Sequence, residues 1–427
     1  MRSIGRSEDH VSVYIDAKLN GLAPAPPERC IFKVHHQLRS VNEEAYEPEM
    51  LAIGPYHRGK NRLQVMEEHK LRYLRQLLER RSESSVAKYV FELRGLEERA
   101  RNCYAEPVNL SADEFVEMML VDGFFIIELF RKHAMRKLRN ISDPLFNMDW
   151  IHKCLVRDTM LFENQLPFFV LYQLFNLTLD PEMHYDLVDI ALHFFRCPLQ
   201  SLGNARNFSE NSNDETKHLL DLVHSNMLAS FVETKSNGSA SNKGTLGFIQ
   251  CAAELVEAGV KFKRAYGRNL FDIKFKNGTM TIPCLIIEDQ TESYFRNLIA
   301  YEQYSQDNHL NCISDYVKFM DCLINSSKDV ELLCRHRIIE NWLGDHEVVA
   351  TMFNKLGDYV VVNNLCYAEI LNEVNRYCCR RWNVWMAKLR RNYFNSPWAL
   401  LSFLAAVLLL LLTSTQTVFS VLSFVFQ

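Results

Sequence analysis

Two carboxylates stand in stretches that are otherwise apolar. Asp122 lies in FVEMMLVDGFFIIELF, seven residues after Phe115 and therefore on the same helical face, and Glu163 lies in LFENQLPFF. A carboxyl group in apolar surroundings resists ionisation, and a raised pKa suits acid–base work. If the two segments pack together, Asp122 and Glu163 form a pair. The competing reading is structural: each carboxylate accepts backbone or Arg hydrogen bonds and fixes the packing, the usual fate of buried polar groups.

Other motifs fall short of a site. Residues 54–61 read GPYHRGKN, one residue from the phosphate loop G-x-x-x-x-G-K-[ST]. Asn61 stands where a hydroxyl would hold Mg²⁺, and Pro55 lacks an N–H in a loop whose task is to aim N–H groups at phosphate. A Gly-Pro turn feeding a helix is the plainer reading. His346-Glu347-Val348-Val349-Ala350 begins like the zinc motif H-E-x-x-H, but Ala350 replaces the second ligand. His35, His36, His57 and His69 form a group without ligand spacing, and no G-x-S-x-G elbow occurs. No catalytic, cofactor or metal site is assigned, and neither a cofactor nor a small-molecule substrate is inferred.

The elements that would position these residues are mostly helices. In residues 63–81 the apolar positions Leu63, Met66, Tyr73, Leu74, Leu77 and Leu78 share one face. Ser111 to Glu114 reads as a capping box, opening a helix that is apolar nearly all round and so should be central. Residues 161–176 form a second such segment, broken at Pro167. Helical patterns return at 219–231, 252–258, 293–303, 313–324, 329–342, 347–356 and 368–389. Residues 270–288 differ: they alternate on both sides of Asn277-Gly278, the signal for a hairpin turn with positive φ at both positions. Polar stretches at 203–215 and 234–247 read as exposed loops, which either divide the chain or are insertions in one domain.

With 427 residues, 48% hydrophobic and 23% charged, the chain has a globular balance, and fibrous or wholly disordered readings are excluded. The net charge of −4 gives no general basic excess for nucleic acid. The distribution is uneven. No acidic residue follows Glu373, and Arg376, Arg380, Arg381, Lys388, Arg390 and Arg391 form a basic collar. After it, residues 398–418 carry no charge, and the apolar character continues to about 426. A helix of that length spans about 31 Å, matching a hydrocarbon core of roughly 30 Å. Trp398, Leu401, Leu404, Leu408, Leu411 and Val418 mark this candidate span, with Trp398 and Tyr393 placed as interfacial aromatics.

The collar favours a cytosolic body by the positive-inside rule and suits anionic lipid. The span's position at the end of the chain suggests tail anchoring. No signal-type apolar region opens the sequence. The 12 cysteines show no regular spacing, which fits a reducing compartment. Cys378 and Cys379 lie in the collar, where packing competes with palmitoylation. Asn-X-Ser/Thr triplets at Asn140, Asn207, Asn237 and Asn277 decide nothing alone.

Long ordered motifs carry a resemblance. CIFKVHHQLRSVNEEAYEPEMLAIGPYHRG, LQVMEEHKLRYLRQLLER, CYAEPVNLSADEFVEMMLVDGFFIIELF, LFENQLPFFVLYQLF, AAELVEAGVKFK, IPCLIIEDQTESYFRNLIAYEQ, DYVKFMDCLI and the collar with its span resemble the plant "domain of unknown function 247" family, also called uncharacterised protein family 0481. The resemblance runs from about Cys30 to the end. His35 departs from it, since the family usually has Pro after the Val, which bears on the entry turn. The resemblance implies a land-plant source and one family domain with a C-terminal span. It carries over no catalytic residues. Some members are associated with self-incompatibility recognition in grasses, others with growth or stress phenotypes.

The expectation is a mainly α protein: an extension over 1–29, a large helical domain over 30–391 with one small β-hairpin, and a C-terminal transmembrane helix. The expected role is a membrane-anchored interaction, recognition or signalling scaffold, binding membrane lipid and a protein partner not identified by the sequence. The alternative is an enzyme with an acid–base site around Asp122 and Glu163.

Overall fold

Ser111 sets the start of the helix around which the N-terminal half is built. Its Oγ accepts from the Glu114 N–H at 3.3 Å, and the Glu114 carboxylate accepts from the Ser111 N–H at 2.8 Å. This reciprocal cap satisfies two amide groups that a helix end leaves unpaired. The helix runs over Ala112–Ala134 and is buried almost continuously from Phe115 to Lys132. In this computed structural model the described residues are 9–20, 29–140, 143–179, 185–196, 216–236, 248–266, 269–305, 311–362, 366–379 and 397–425.

Four helices surround the central one: Gln64–Arg80, Ala87–Asn102, Phe168–Leu177 and Leu187–Phe195. The first buries the expected stripe of Met66, Tyr73, Leu74 and Leu77, with Lys70 on the same face. Gly123 permits the approach of Phe168–Leu177, because a Cβ there would lie 2.5 Å from Leu174 Cδ1. Residues 161–167, expected to be helical, are not; the helix begins only at Phe168, after Pro167. Proline disfavours helical geometry in the residue before it and brings no N–H of its own. The buried loop is satisfied by its own amides instead: Asn164 Nδ2 donates to Leu51 O and Asp158 O, and Gln165 Nε2 to Thr159 O and Leu161 O.

The second half holds the hairpin where it was expected. Strands β2 (Lys274–Lys276) and β3 (Thr279–Pro283) pair antiparallel across Asn277 and Gly278, with φ of 51° and 74°. The strand content is larger than one hairpin. β1 (Lys261–Ala265) adds to β3 in parallel, and β4 (Leu285–Ile287) pairs in parallel with β5 (Ile339–Asn341). The helix expected over 329–342 therefore stops early, spanning Ser327–Arg335. Arg337 takes a left-handed φ of 56°, which turns the chain out of the helix and into β5.

Helices Thr291–Tyr304, Cys312–Leu323, Ser327–Arg335 and His346–Leu356 complete this half. One hydrophobic core runs from Ile31 to Val374 and includes residues from both halves. Ala368–Cys378 lies against β2, and the remainder of the helix expected to 389 falls outside the described residues. So do residues 203–215 and 237–247; residues 234–236 finish the helix Leu219–Ser236. The last described element is the apolar helix Pro397–Val425.

Candidate functional site

Asp122 sits on the central helix and is 1% exposed. Its Oδ1 accepts from Lys70 Nζ at 2.6 Å, and its Oδ2 from the Gly54 N–H at 2.9 Å. Lys70 also donates to Ala52 O and to Glu67, both at 2.6 Å. Burial raises the Asp122 carboxyl above its ordinary range, against the pull of Lys70. Both oxygens have partners, and neither partner is Glu163.

Glu163 belongs to a different constellation. Its Oε1 accepts from the Val34 N–H at 2.8 Å and from Arg39 at 2.7 Å. Its Oε2 lies 3.5 Å from His57 Nε2. Arg39 turns its other terminal nitrogen to Glu47, Glu47 also takes Lys60 and Arg62, and Lys60 Nζ reaches His57 Nδ1 at 2.9 Å. The five side chains Arg39, Glu47, Lys60, His57 and Glu163 thus form a ring of contacts, in which His57 Nε2 approaches Glu163 without a hydrogen bond. His57 and Glu163 are its buried side, at 2% and 4% exposure, and Lys60 is its solvent edge at 37%.

The partners fix the imidazole tautomer. An ammonium at Nδ1 requires a lone pair there, so the proton sits on Nε2, facing Glu163. Burial and the Lys60 charge push the His57 pKa down to about 3, so the ring is neutral at pH 7. Burial pushes Glu163 up, against the Val34 N–H and Arg39. Glu47 behaves oppositely: partial burial raises it, but Lys60, His57 and Arg39 together hold it below the usual range. A His beside a carboxylate is the arrangement of a general base. Here the nitrogen that would take a proton is occupied by Lys60, so the ring ties segments together while Lys60 stays in place.

The loop 54–61 connects the two constellations. Gly54, at φ +69°, gives its N–H to Asp122, while His57 and Lys60 enter the ring. The amide and the lysine that a phosphate would need are both committed to carboxylates, against the nucleotide reading. His35 caps the short helix His36–Val41 through its Nδ1 and lies exposed with His36, so the four histidines do not converge. His346 opens the helix His346–Leu356, and the Ala350 that takes the second ligand's place is buried. Among the described residues, no group of three His, Cys, Asp or Glu is arranged to hold a metal ion.

Sequence reasoning missed Lys70, Arg39 and Glu47. Lys70 had a signal: it falls four residues after Met66 and three before Tyr73, inside an apolar stripe. Arg39 and Glu47 had none, since both stand in polar sequence. In the C-terminal helix, Leu401, Leu404, Leu408, Leu411 and Val418 are exposed, and Trp398 lies in the first turn. Window Leu401–Ser420 is long and apolar enough to cross a membrane. The collar residues Arg380, Arg381, Lys388, Arg390 and Arg391 lie outside the described residues.

The family model described as a plant protein of unknown function, DUF247, matches residues 31–412. The chain belongs to the DUF247 family. UPF0481 protein At3g47200 of Arabidopsis thaliana is 31% identical over 418 residues, covering 92% of this chain and 87% of that protein. UPF0481 protein At3g02645 of the same plant is 24% identical over 476 residues, covering 90% and 89%. No solved structure matches the chain. The DUF247 match takes in both constellations and reaches into the apolar C-terminal helix.

Proposed function

We propose that this DUF247 protein is a membrane-anchored interaction protein, held by its C-terminal helix with the helical body in the cytosol. The observation that carries the reading is the 20-residue window Leu401–Ser420, none of which is buried against the body. The core helix of a soluble protein would be mostly buried; this one leaves its leucines without a protein partner among the described residues. Its hydroxyls fit lipid as well. Thr413, Ser414, Thr415 and Thr417 each donate to a carbonyl four residues back. A hydroxyl so bonded needs no water.

The basic collar supports the orientation, and anionic lipid is its proposed contact, at about 1 kcal/mol per basic residue near the surface. A protein partner is the proposed cargo of the body. Support for binding over catalysis comes from the two candidate carboxylates, each committed to internal donors and set apart from the other. The test is alkaline carbonate extraction of plant membranes carrying the full chain. Retention in the pellet, with release after deletion of residues 397–427, supports the reading; release of the intact chain opposes it.

A further inference from the structure

Cys312 is the first residue of the helix Cys312–Leu323, and Cys366 stands just ahead of the helix Ala368–Cys378. Their Sγ atoms are 3.6 Å apart, across 54 residues of sequence. Both sides of the contact are fixed. The Cys366 N–H donates to Asp315 Oδ2 at 2.6 Å, and the next residue, Tyr367, is buried and donates its hydroxyl to Phe271 O at 3.0 Å. On the other side, the Glu302 carboxylate accepts the N–H groups of Ile313 and Ser314 at 3.0 and 2.8 Å. A disulfide needs the sulfurs about 2.0 Å apart, so a pair already in sulfur–sulfur contact has only a short distance to close.

We propose that Cys312 and Cys366 are a thiol–disulfide site that cross-links the start of the helix Ala368–Cys378 to the helix Cys312–Leu323. The oxidant is a small-molecule disulfide. The Cys366 thiolate, the more exposed of the two, attacks one sulfur of the reagent and expels one reagent thiol, leaving a mixed disulfide on Cys366. The Cys312 thiolate then attacks Cys366 Sγ and expels the second reagent thiol. The two protons of the protein thiols end on the two reagent thiols, and two electrons pass from protein to reagent. The Cys366 contact, burial and the nearby Glu302 and Asp315 carboxyls all raise the Cys312 thiol well above its usual range. A thiol so raised is protonated at neutral pH, so closure there is slow.

The test uses the full chain in detergent micelles with oxidised glutathione, followed by alkylation, non-reducing digestion and mass spectrometry. The expected product is a peptide pair joined through Cys312 and Cys366, lost on reduction and kept in Cys322→Ser. Cys312→Ser should instead trap glutathione on Cys366. The rate of closure should rise with pH from 7 to 9, following the thiolate fraction. Alkylation of both cysteines after oxidant treatment, separate glutathione adducts on each, or a cross-link seen only with denaturant would each overturn the proposal. The decisive readout is on the unmutated chain, so it stands whether or not the variants fold.

Discussion

His57 Nε2 and Glu163 Oε2 face each other across 3.5 Å, and His57 reaches Lys60 with its other nitrogen at 2.9 Å. That one imidazole stands where the entry segment, the loop after Gly54 and the loop before Pro167 meet, bonded to Lys60 and approaching Glu163 without a hydrogen bond. Glu163 itself is held by the Val34 N–H and Arg39. Asp122, on the central helix, is tied in turn to Lys70 and to the Gly54 N–H at the start of that loop.

The Asp122–Lys70 pair gives the first prediction. Lys70→Met should destabilise the chain by about 3–5 kcal/mol, because it leaves a buried carboxylate with only the Gly54 N–H. The double variant Lys70→Met/Asp122→Leu should lose less than the single one, the remaining cost being the orphaned Gly54 amide. Chemical denaturation of the full chain in detergent measures both.

Gly54 and Gly59 both have positive φ, at 69° and 84°, but their surroundings differ. A Cβ at Gly54 would lie 2.6 Å from Gln165 O, while one at Gly59 would meet nothing within 4 Å. Gly59→Ala should cost about 1 kcal/mol of left-handed strain. Gly54→Ala should cost at least twice that in the same denaturation assay, since the loop must shift and the Asp122 bond with it.

The buried histidines predict a pH trend. His57 and His218 are pushed down to about 3 and about 4, in each case chiefly by burial. Between those values and the ordinary 6.5, the unfolded chain binds protons that the folded chain refuses. Their contribution is therefore complete above pH 6.5 and is lost as the pH falls. The raised carboxyls Glu163 and Asp158 act in the opposite sense, taking up protons in the folded state first. The histidine part is read as a difference: from pH 6.5 to 4, the stability of His218→Gln should fall less steeply than that of the parent, by about 1 kcal/mol per pH unit.

The cap of the central helix predicts a smaller effect. Ser111→Ala should cost about 1 kcal/mol by removing the acceptor of the Glu114 N–H. Ser111→Asp should keep most of the stability, with thermal unfolding followed by circular dichroism as the measure.

Local rules were readable in the sequence, and long-range ones were not. The Ser111 cap, the stripe of Met66, Tyr73, Leu74 and Leu77, and the Asn277-Gly278 turn each depend on residues within a few positions, and each stands where it was expected. Strand β5 was read as helix because Ile339–Asn341 acquires its identity from Leu285–Ile287, some fifty residues earlier. Residues 161–167 were apolar enough to suggest helix, but Pro167 and the buried amides of Asn164 and Gln165 made a loop. Asp122 and Glu163 stand in apolar surroundings as their sequence indicates, and of the two readings it offers the structural one holds: each accepts a backbone N–H and a basic side chain, and the conditional pair does not form. Lys70 and Arg39 take them separately, and no periodicity announces a partner that lies on another element.

Glycosylation mapping of the full chain in plant cells tests the anchored, cytosolic-body reading most directly. The native chain is compared with one carrying a strong acceptor site after Gln427. An endoglycosidase-sensitive mass shift is expected only in the extended chain, with both retained after alkaline carbonate extraction. A shift in the native chain would place the body on the lumenal or outer side. Release of both chains by carbonate, with no shift in either, would contradict the membrane span itself.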